Sequence, residues 1–150
     1  MYKMTYRDAV TKDIEQIENL LKECSLPVND IKEHIDNFIL AERNNKIIGI
    51  AGFEKHGEIA LIRSIAVTQK YRGQSIGKKL YNFLENKIKS EGVKELYLLT
   101  ENATDYFKNI GFTIKNRSNV PEAIIQTKQF KELCPASANV MHYNLRVKNV

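Results

Sequence analysis

Ser64-Ile65-Ala66-Val67-Thr68-Gln69-Lys70-Tyr71-Arg72-Gly73-Gln74-Ser75-Ile76-Gly77-Lys78-Lys79-Leu80 decides the fold. An apolar strand, Ile65-Ala66-Val67, runs into a turn of small and basic residues. A helix starts directly afterwards, with Ile76, Leu80, Phe83, Leu84 and Ile88 at helical spacing. Backbone amides at a helix start have no intrahelical acceptor, and the helix dipole favours negative charge there. Gly73 and Gly77 have no Cβ, so a pyrophosphate can approach the backbone closely. Arg72, Lys78 and Lys79 add positive charge. The same features suit a plain strand-turn-helix junction with glycines for geometry alone. The stretch is neither a P-loop nor a dinucleotide fingerprint: it lacks Gly-x-x-x-x-Gly-Lys-Ser/Thr and Gly-x-Gly-x-x-Gly.

Working outward, Thr5 to Val10 holds the end of a first strand, and Thr11 can cap the helix that follows. Ile14, Ile17, Leu20, Leu21 and Cys24 form one apolar stripe, read as core, and Pro27 ends that helix. Asn29 caps a short second helix with Ile31 and Ile35. Phe38 to Glu42 and Lys46 to Phe53 make a hairpin across Asn44-Asn45. After the turn His56-Gly57, Glu58 to Val67 is the third strand of a meander. Beyond the central helix, Gly92 is a terminator. Glu95 to Leu99 is a strand, Ala103 to Ile110 a helix stopped by Gly111, and Phe112 to Lys115 a strand. Pro121 opens a helix over 122–128, and Val140 to Val147 is a last strand. The order β-α-α-β-β-β-α-β-α-β-(α)-β implies an α/β, mixed sheet: an antiparallel meander followed by a βαβ unit, with helices on its faces.

The 150 residues, 43% hydrophobic and 27% charged, suit one ordinary globular domain over 1–150, with no repeat or linker. No apolar run reaches the ~18 residues of a membrane span. The first eight residues alternate and carry charge, so a cytoplasmic protein without a membrane partner is expected. Cys24 and Cys134 are the only cysteines, and a reducing cytoplasm argues against a bridge. His34, His56 and His142 are scattered and there is no Cys-x-x-Cys pair, so no metal site is expected. The net charge of +5 suits a polyanionic small ligand; with no long basic block and no motif, nucleic acid is not the expected partner.

The stretch from Ser64 to Leu80 resembles motif A of the GNAT N-acetyltransferases, whose pattern there is Gln/Arg-x-x-Gly-x-Gly/Ala. Arg72 and Gly77 match its ends, and Ser75 stands where the pattern has its central glycine. Tyr106-Phe107-Lys108-Asn109-Ile110-Gly111-Phe112 is similar to motif B, which usually ends in Gly-Phe. The element order is similar from end to end. Leu61 to Val67 and the tail Phe130 to Ala138 resemble a subgroup often linked to arsenic-resistance operons and the N-acetylglutamate-synthase-like acetyltransferases.

The resemblance implies a mixed, mostly antiparallel sheet of six to seven strands with two splayed central parallel strands. It implies acetyl-CoA as cosubstrate, a small-molecule amine acceptor, direct attack without a covalent intermediate, and it admits a homodimer. Donor-binding residues would be Ile65, Ala66, Val67, Arg72, Gly73, Gln74, Ser75, Ile76, Gly77, Lys78 and Phe107. Phe107 stands where many members carry the tyrosine that protonates the CoA thiolate; Tyr106, about 100° around the helix, faces elsewhere and reads as core or groove wall. The proton acceptor has two candidates, Glu54 and Glu101, each weighed against a solvated surface carboxylate; Glu58 is expected to be solvated. Arg63, in an otherwise apolar strand, needs a partner or a ligand: an acceptor carboxylate, or Glu54 or Glu101. Ser64 and Thr100 are further acceptor-side candidates, while Cys134 and His142 read as structural. An acetyl-CoA-binding regulatory domain with little turnover, and a protein N-terminal or lysine acetyltransferase, remain open alternatives.

Overall fold

The computed structural model describes residues 4–26, 28, 31–101, 103–127, 130–131 and 138–145. β1 is Met4–Asp8, α1 Ile14–Glu23, β2 Phe38–Arg43, β3 Lys46–His56 and β4 Ile59–Val67. Then come α2 Ile76–Ser90, β5 Glu95–Thr100, α3 Thr104–Ile110, β6 Thr113–Lys115, α4 Glu122–Ile125 and β7 Asn139–Asn144. The strands form one seven-stranded sheet in the order β1-β2-β3-β4-β5-β7-β6. The pairs β1–β2, β2–β3, β5–β7 and β6–β7 are antiparallel. β4 and β5 are parallel, through Ile59↔Glu95, Ala60↔Leu96 and Leu61↔Tyr97. Among the described residues their register stops there, although β4 continues to Val67 and β5 to Thr100. The mixed, mostly antiparallel sheet is the expected one.

The chain divides into two compact units, Met1–Phe53 with Ser64–Ile88, and Glu54–Arg63 with Lys89–Val150. In the first, α1 presents Ile17, Leu20 and Leu21 to Phe38, Leu40 and Ile50 of the hairpin. All six are at most 5% exposed. Each fully buried aliphatic side chain contributes about 1.5–3 kcal/mol. α2 buries Ile76, Leu80, Leu84 and Ile88, one stripe at every fourth residue. In the second unit, Leu61 and Tyr97 pack with Val120, Ile124 and Val140.

Four local expectations change. Thr11 does not cap α1 through its side chain: it opens a 3-10 turn, Thr11–Asp13, and α1 begins at Ile14. The side chain that takes an orphan amide is Asp13, whose Oδ2 accepts from the Val10 N–H at 2.8 Å. α1 ends before Pro27, which lies outside the described residues, as does Asn29. Ser25 sits in the left-handed region at φ +59°. Its N–H bonds to the Lys22 carbonyl, and the Leu26 N–H to the Leu21 carbonyl at 2.9 Å, which is a Schellman stop built on serine rather than glycine. The second short helix is a 3-10 segment, Lys32–Asn37. α4 ends at Ile125, while Lys128 and Val147, the expected ends of the last helix and strand, lie outside the described residues.

Asn44 and Asn45 turn the β2–β3 hairpin at φ +54° and +63°. Two left-handed residues in succession match the right-handed twist of the flanking strands, and asparagine tolerates that region best after glycine.

Candidate functional site

The candidate donor-side residues other than Phe107 lie in the first unit. β4 ends at Val67, and the Thr68 N–H bonds to the Ile48 carbonyl of β3 at 2.8 Å, which fixes the strand end. A 3-10 turn over Gln69–Tyr71 follows. Gly73 then adopts φ +83° and Ser75 φ +64°. This accounts for the glycine in the family pattern: the backbone at residue 75 is left-handed, and a Cβ there costs about 1–2 kcal/mol. At Gly73 a Cβ would meet nothing within 4 Å, so backbone conformation alone calls for glycine there.

The Ser75 carbonyl accepts from the Lys79 N–H at 3.1 Å, the first rung of α2. The amides of Ile76, Gly77 and Lys78 precede that rung and have no acceptor within the helix. Gln74, Ser75, Lys78 and Lys79 are exposed around them. A 15-residue helix with three such amides and exposed cations at its start is suited to an anion. Arg72 is also exposed, but its guanidinium is engaged. Nε donates to the Val67 carbonyl at 2.9 Å and Nη2 contacts the Cys24 sulfur at 3.4 Å, so Arg72 clasps the turn to the end of β4. Ala66 is buried in the core, while Ile65 and Val67 are half-buried. Cys24 is a free, half-buried thiol, and Cys134 lies outside the described residues.

The acceptor-side candidates other than Ser64 lie in the second unit. Glu54 is not a solvated carboxylate: it is 4% exposed, and Arg63 is 2% exposed. Arg63 Nη1 donates to Glu54 Oε2 at 2.9 Å, which makes this a buried ion pair between β3 and β4. Of the partners open to Arg63 on sequence grounds, Glu54 is one that it takes. Glu101 is exposed just past β5, and Glu58 is exposed and paired with Lys94 at 3.0 Å. The Thr100 hydroxyl accepts from the Ala103 N–H at 3.0 Å, closing the turn into α3. Ser64 lies in β4, but its side chain falls outside the described residues. On α3, Phe107 is 8% exposed and packs edge-on against Phe112, ring centroids 5.6 Å apart. Tyr106 is 40% exposed rather than core, and burial of its hydroxyl end raises its phenol above the ordinary value. His142 is engaged with Glu95 at 2.8 Å, and burial together with the Glu95 charge raises the phenol of the neighbouring Tyr97. Among the described residues no group of three or more His, Cys, Asp or Glu is placed to hold a metal ion. Among the described residues no helix is long and apolar enough to cross a membrane.

Two features escaped the sequence. His56, read there only as a turn residue, has a buried Nε2 without a hydrogen-bond partner, 3.6 Å from Glu54 Oε1. Beside the donor turn, within the first unit, is a cavity of about 440 Å³ lined in part by Arg43, Lys46, Lys70 and Tyr71. The available signal was two cations flanking the Asn-Asn turn.

A profile of the Acetyltransferase (GNAT) family matches residues 6–112. An uncharacterized N-acetyltransferase of Chlorobaculum tepidum is 33% identical over 98 residues, covering 65% of this chain and 63% of that protein. An amino-acid acetyltransferase of Photorhabdus laumondii is 33% identical over 96 residues, which cover 61% of this chain and 21% of the longer protein. The chain therefore matches less than two thirds of the length of either relative. The N-acetylglutamate synthase of Neisseria gonorrhoeae, solved with coenzyme A and N-acetyl-glutamate, superposes with a TM-score of 0.82 at 20% identity, over 95% of this chain and 35% of that one. A Mycobacterium tuberculosis protein solved with CoA gives 0.80 at 20% identity, over 94% of this chain and 99% of that one. These superpositions establish the likeness of fold. With the profile covering residues 6–112, the chain belongs to the GNAT acetyltransferase family.

Proposed function

We propose that this protein is an N-acetyltransferase that moves the acetyl group of acetyl-CoA to the amino group of an amino acid or an amino-acid-like small molecule. The observation that carries the reading is the left-handed turn at Gly73 and Ser75, which leaves the amides of Ile76, Gly77 and Lys78 for the pyrophosphate. Relatives named amino-acid acetyltransferases favour the acceptor class.

The amine must be neutral to attack. Its lone pair adds to the thioester carbonyl, the oxyanion collapses, the C–S bond breaks and CoA leaves as thiolate. The proton shed by nitrogen passes to a carboxylate, directly or through water. In our reading that carboxylate is Glu54, with Arg63 holding it in place; exposed Glu101 is the second candidate. Phe107 offers no proton, so the thiolate leaves as such or takes its proton from water. Backbone N–H groups of Ile65 to Val67 are the donors assigned to the thioester and pantetheine.

A second reading, a CoA-binding domain with little turnover, rests on Phe107 standing where many relatives carry an acidic hydroxyl. Thiol release from acetyl-CoA, measured with a panel of amino acids, separates the two. Release above the hydrolysis blank with one or more of them supports the enzyme. CoA binding with no such release sinks it and leaves the binding domain.

A further inference from the structure

Glu54 and His56 are two residues apart at the end of β3, so their side chains leave the same face of the strand. Exposed Lys55, between them, leaves the other face. Two cationic or basic groups meet the Glu54 carboxylate: Arg63 Nη1 holds Oε2 at 2.9 Å, and His56 Nε2 stands 3.6 Å from Oε1. All three residues belong to the second unit. The His56 Nε2 atom is buried and takes no hydrogen bond among the described residues. A buried polar atom left unpaired is costly, so packing alone gives no reason for this one. Yet the His56 side chain as a whole is 31% exposed, against 5% for that of Glu54. The ring therefore has one nitrogen inside, beside the carboxylate, and part of its surface in water.

A carboxylate that accepts a proton in each turnover has to lose it before the next. Glu54, 4% exposed, has little water to give it to. Arg63 cannot take it, because a guanidinium is already fully protonated. An imidazole can: a free histidine binds a proton about two pKa units more tightly than a free glutamate. In the tautomer that carries its hydrogen on Nδ1, Nε2 has a lone pair ready to receive one.

Resting on the reading of Glu54 as the group that takes the amine proton, we propose that His56 relays that proton from Glu54 to solvent. An N–H bond of the attacking amine breaks and an O–H bond forms on Glu54. That O–H bond then breaks, the Nε2 lone pair takes the proton, and Glu54 returns to the carboxylate that Arg63 holds. The imidazolium gives a proton to water from its exposed side and is neutral again. His56 acts through Glu54 and is a positioning residue: it restores the base rather than binding either substrate.

The test is thiol release from acetyl-CoA, with an amino acid that supports turnover, by the natural chain and by His56→Gln in dilute buffer. Free imidazole and methylimidazoles of graded basicity are then added to each. The expected result is a kcat lower by about tenfold or more in His56→Gln, with both KM values within about twofold of the natural ones. The added bases restore the lost rate in order of their basicity and leave the natural chain unchanged, and thermal unfolding shows the variant folded. A purely structural histidine would not be replaced by a base in solution ranked by proton affinity. An unchanged kcat in His56→Gln overturns the relay, as does a loss that none of the bases restores or one that lies in KM alone. In each of those outcomes the natural chain still turns over, so the acetyltransferase reading stands. No release by the natural chain with any amino acid overturns that reading, and the relay with it.

Discussion

Arg63 and Glu54 hold one another at 2.9 Å inside the protein, with the arginine side chain 0% and the glutamate side chain 5% exposed. Taking two charges out of water costs several kcal/mol per ion before their attraction offsets it. Removing one partner leaves the other buried without that attraction. We expect Arg63→Ala to lower the unfolding free energy by about 3–5 kcal/mol in urea denaturation, and a joint replacement of both residues by apolar ones to recover most of that. An Arg63→Ala variant as stable as the natural protein would mean that the pair contributes nothing. Glu54→Gln keeps the shape and a hydrogen-bond acceptor but removes the base. It should lower kcat by about 10²-fold or more if Glu54 takes the amine proton, and an unchanged kcat moves that role to Glu101.

Ser75 carries a Cβ where the backbone is left-handed. Ser75→Gly should raise stability by about 1 kcal/mol, read as a higher urea midpoint with an unchanged slope. Gly73→Ala should cost a similar amount in the opposite direction, from conformation alone, since no atom lies within 4 Å of the added methyl. A Ser75→Gly variant of lower stability would contradict the backbone at this turn.

Gly52 marks a different constraint. A Cβ there would lie 2.6 Å from the ring of Phe38, which is fully buried. The ring sits in packed surroundings and cannot swing away cheaply, so Gly52→Ala should destabilise by about 1–3 kcal/mol. Combining it with Phe38→Leu should restore part of the loss, and strict additivity of the two would contradict the contact.

Asp13 gives the pH dependence a sign. Hydrogen bonds from Arg7 hold its carboxyl below the ordinary value of 3.8, against the opposing effect of burial, and the Val10 amide adds to this. A depressed folded-state value means that the unfolded chain binds the proton more tightly. The stabilisation is therefore complete above about pH 4–5 and is lost as pH falls through the folded value. In Asp13→Asn, the loss of stability relative to the natural chain should be about 2 kcal/mol at pH 7 and should shrink as pH falls below the ordinary value of 3.8. A difference independent of pH would contradict the ion pair.

What could be read from the sequence was what is local in the chain. The Asn44-Asn45 turn, the four-residue stripe of α2 and the 100° separation of Phe107 from Tyr106 each depend on neighbours within one or two turns. Thr11 looked like a cap because threonine suits that position, but Asp13 is tied to Arg7 and already faces the Val10 amide. The stop at Ser25 was hidden because serine is an uncommon choice for a left-handed residue. On the candidate site, the turn from Arg72 to Gly77 and the helix start after it were legible from their glycines and cations. The engagement of Arg72 with Val67 and Cys24 was not, since it joins residues up to 48 positions apart. The cavity beside Tyr71 depends on α1, the hairpin and the turn meeting in space, which no single window of sequence displays.

The central claim is that the α2 amides bind the pyrophosphate of CoA. It is tested most directly by calorimetric titration of CoA into the natural protein and into Gly77→Trp, whose indole would fill the space in front of those amides. The account predicts saturable binding to the natural protein and an affinity at least a hundredfold weaker in the variant, with thermal unfolding showing that the variant is folded. A folded Gly77→Trp protein that binds CoA as tightly as the natural one would contradict it.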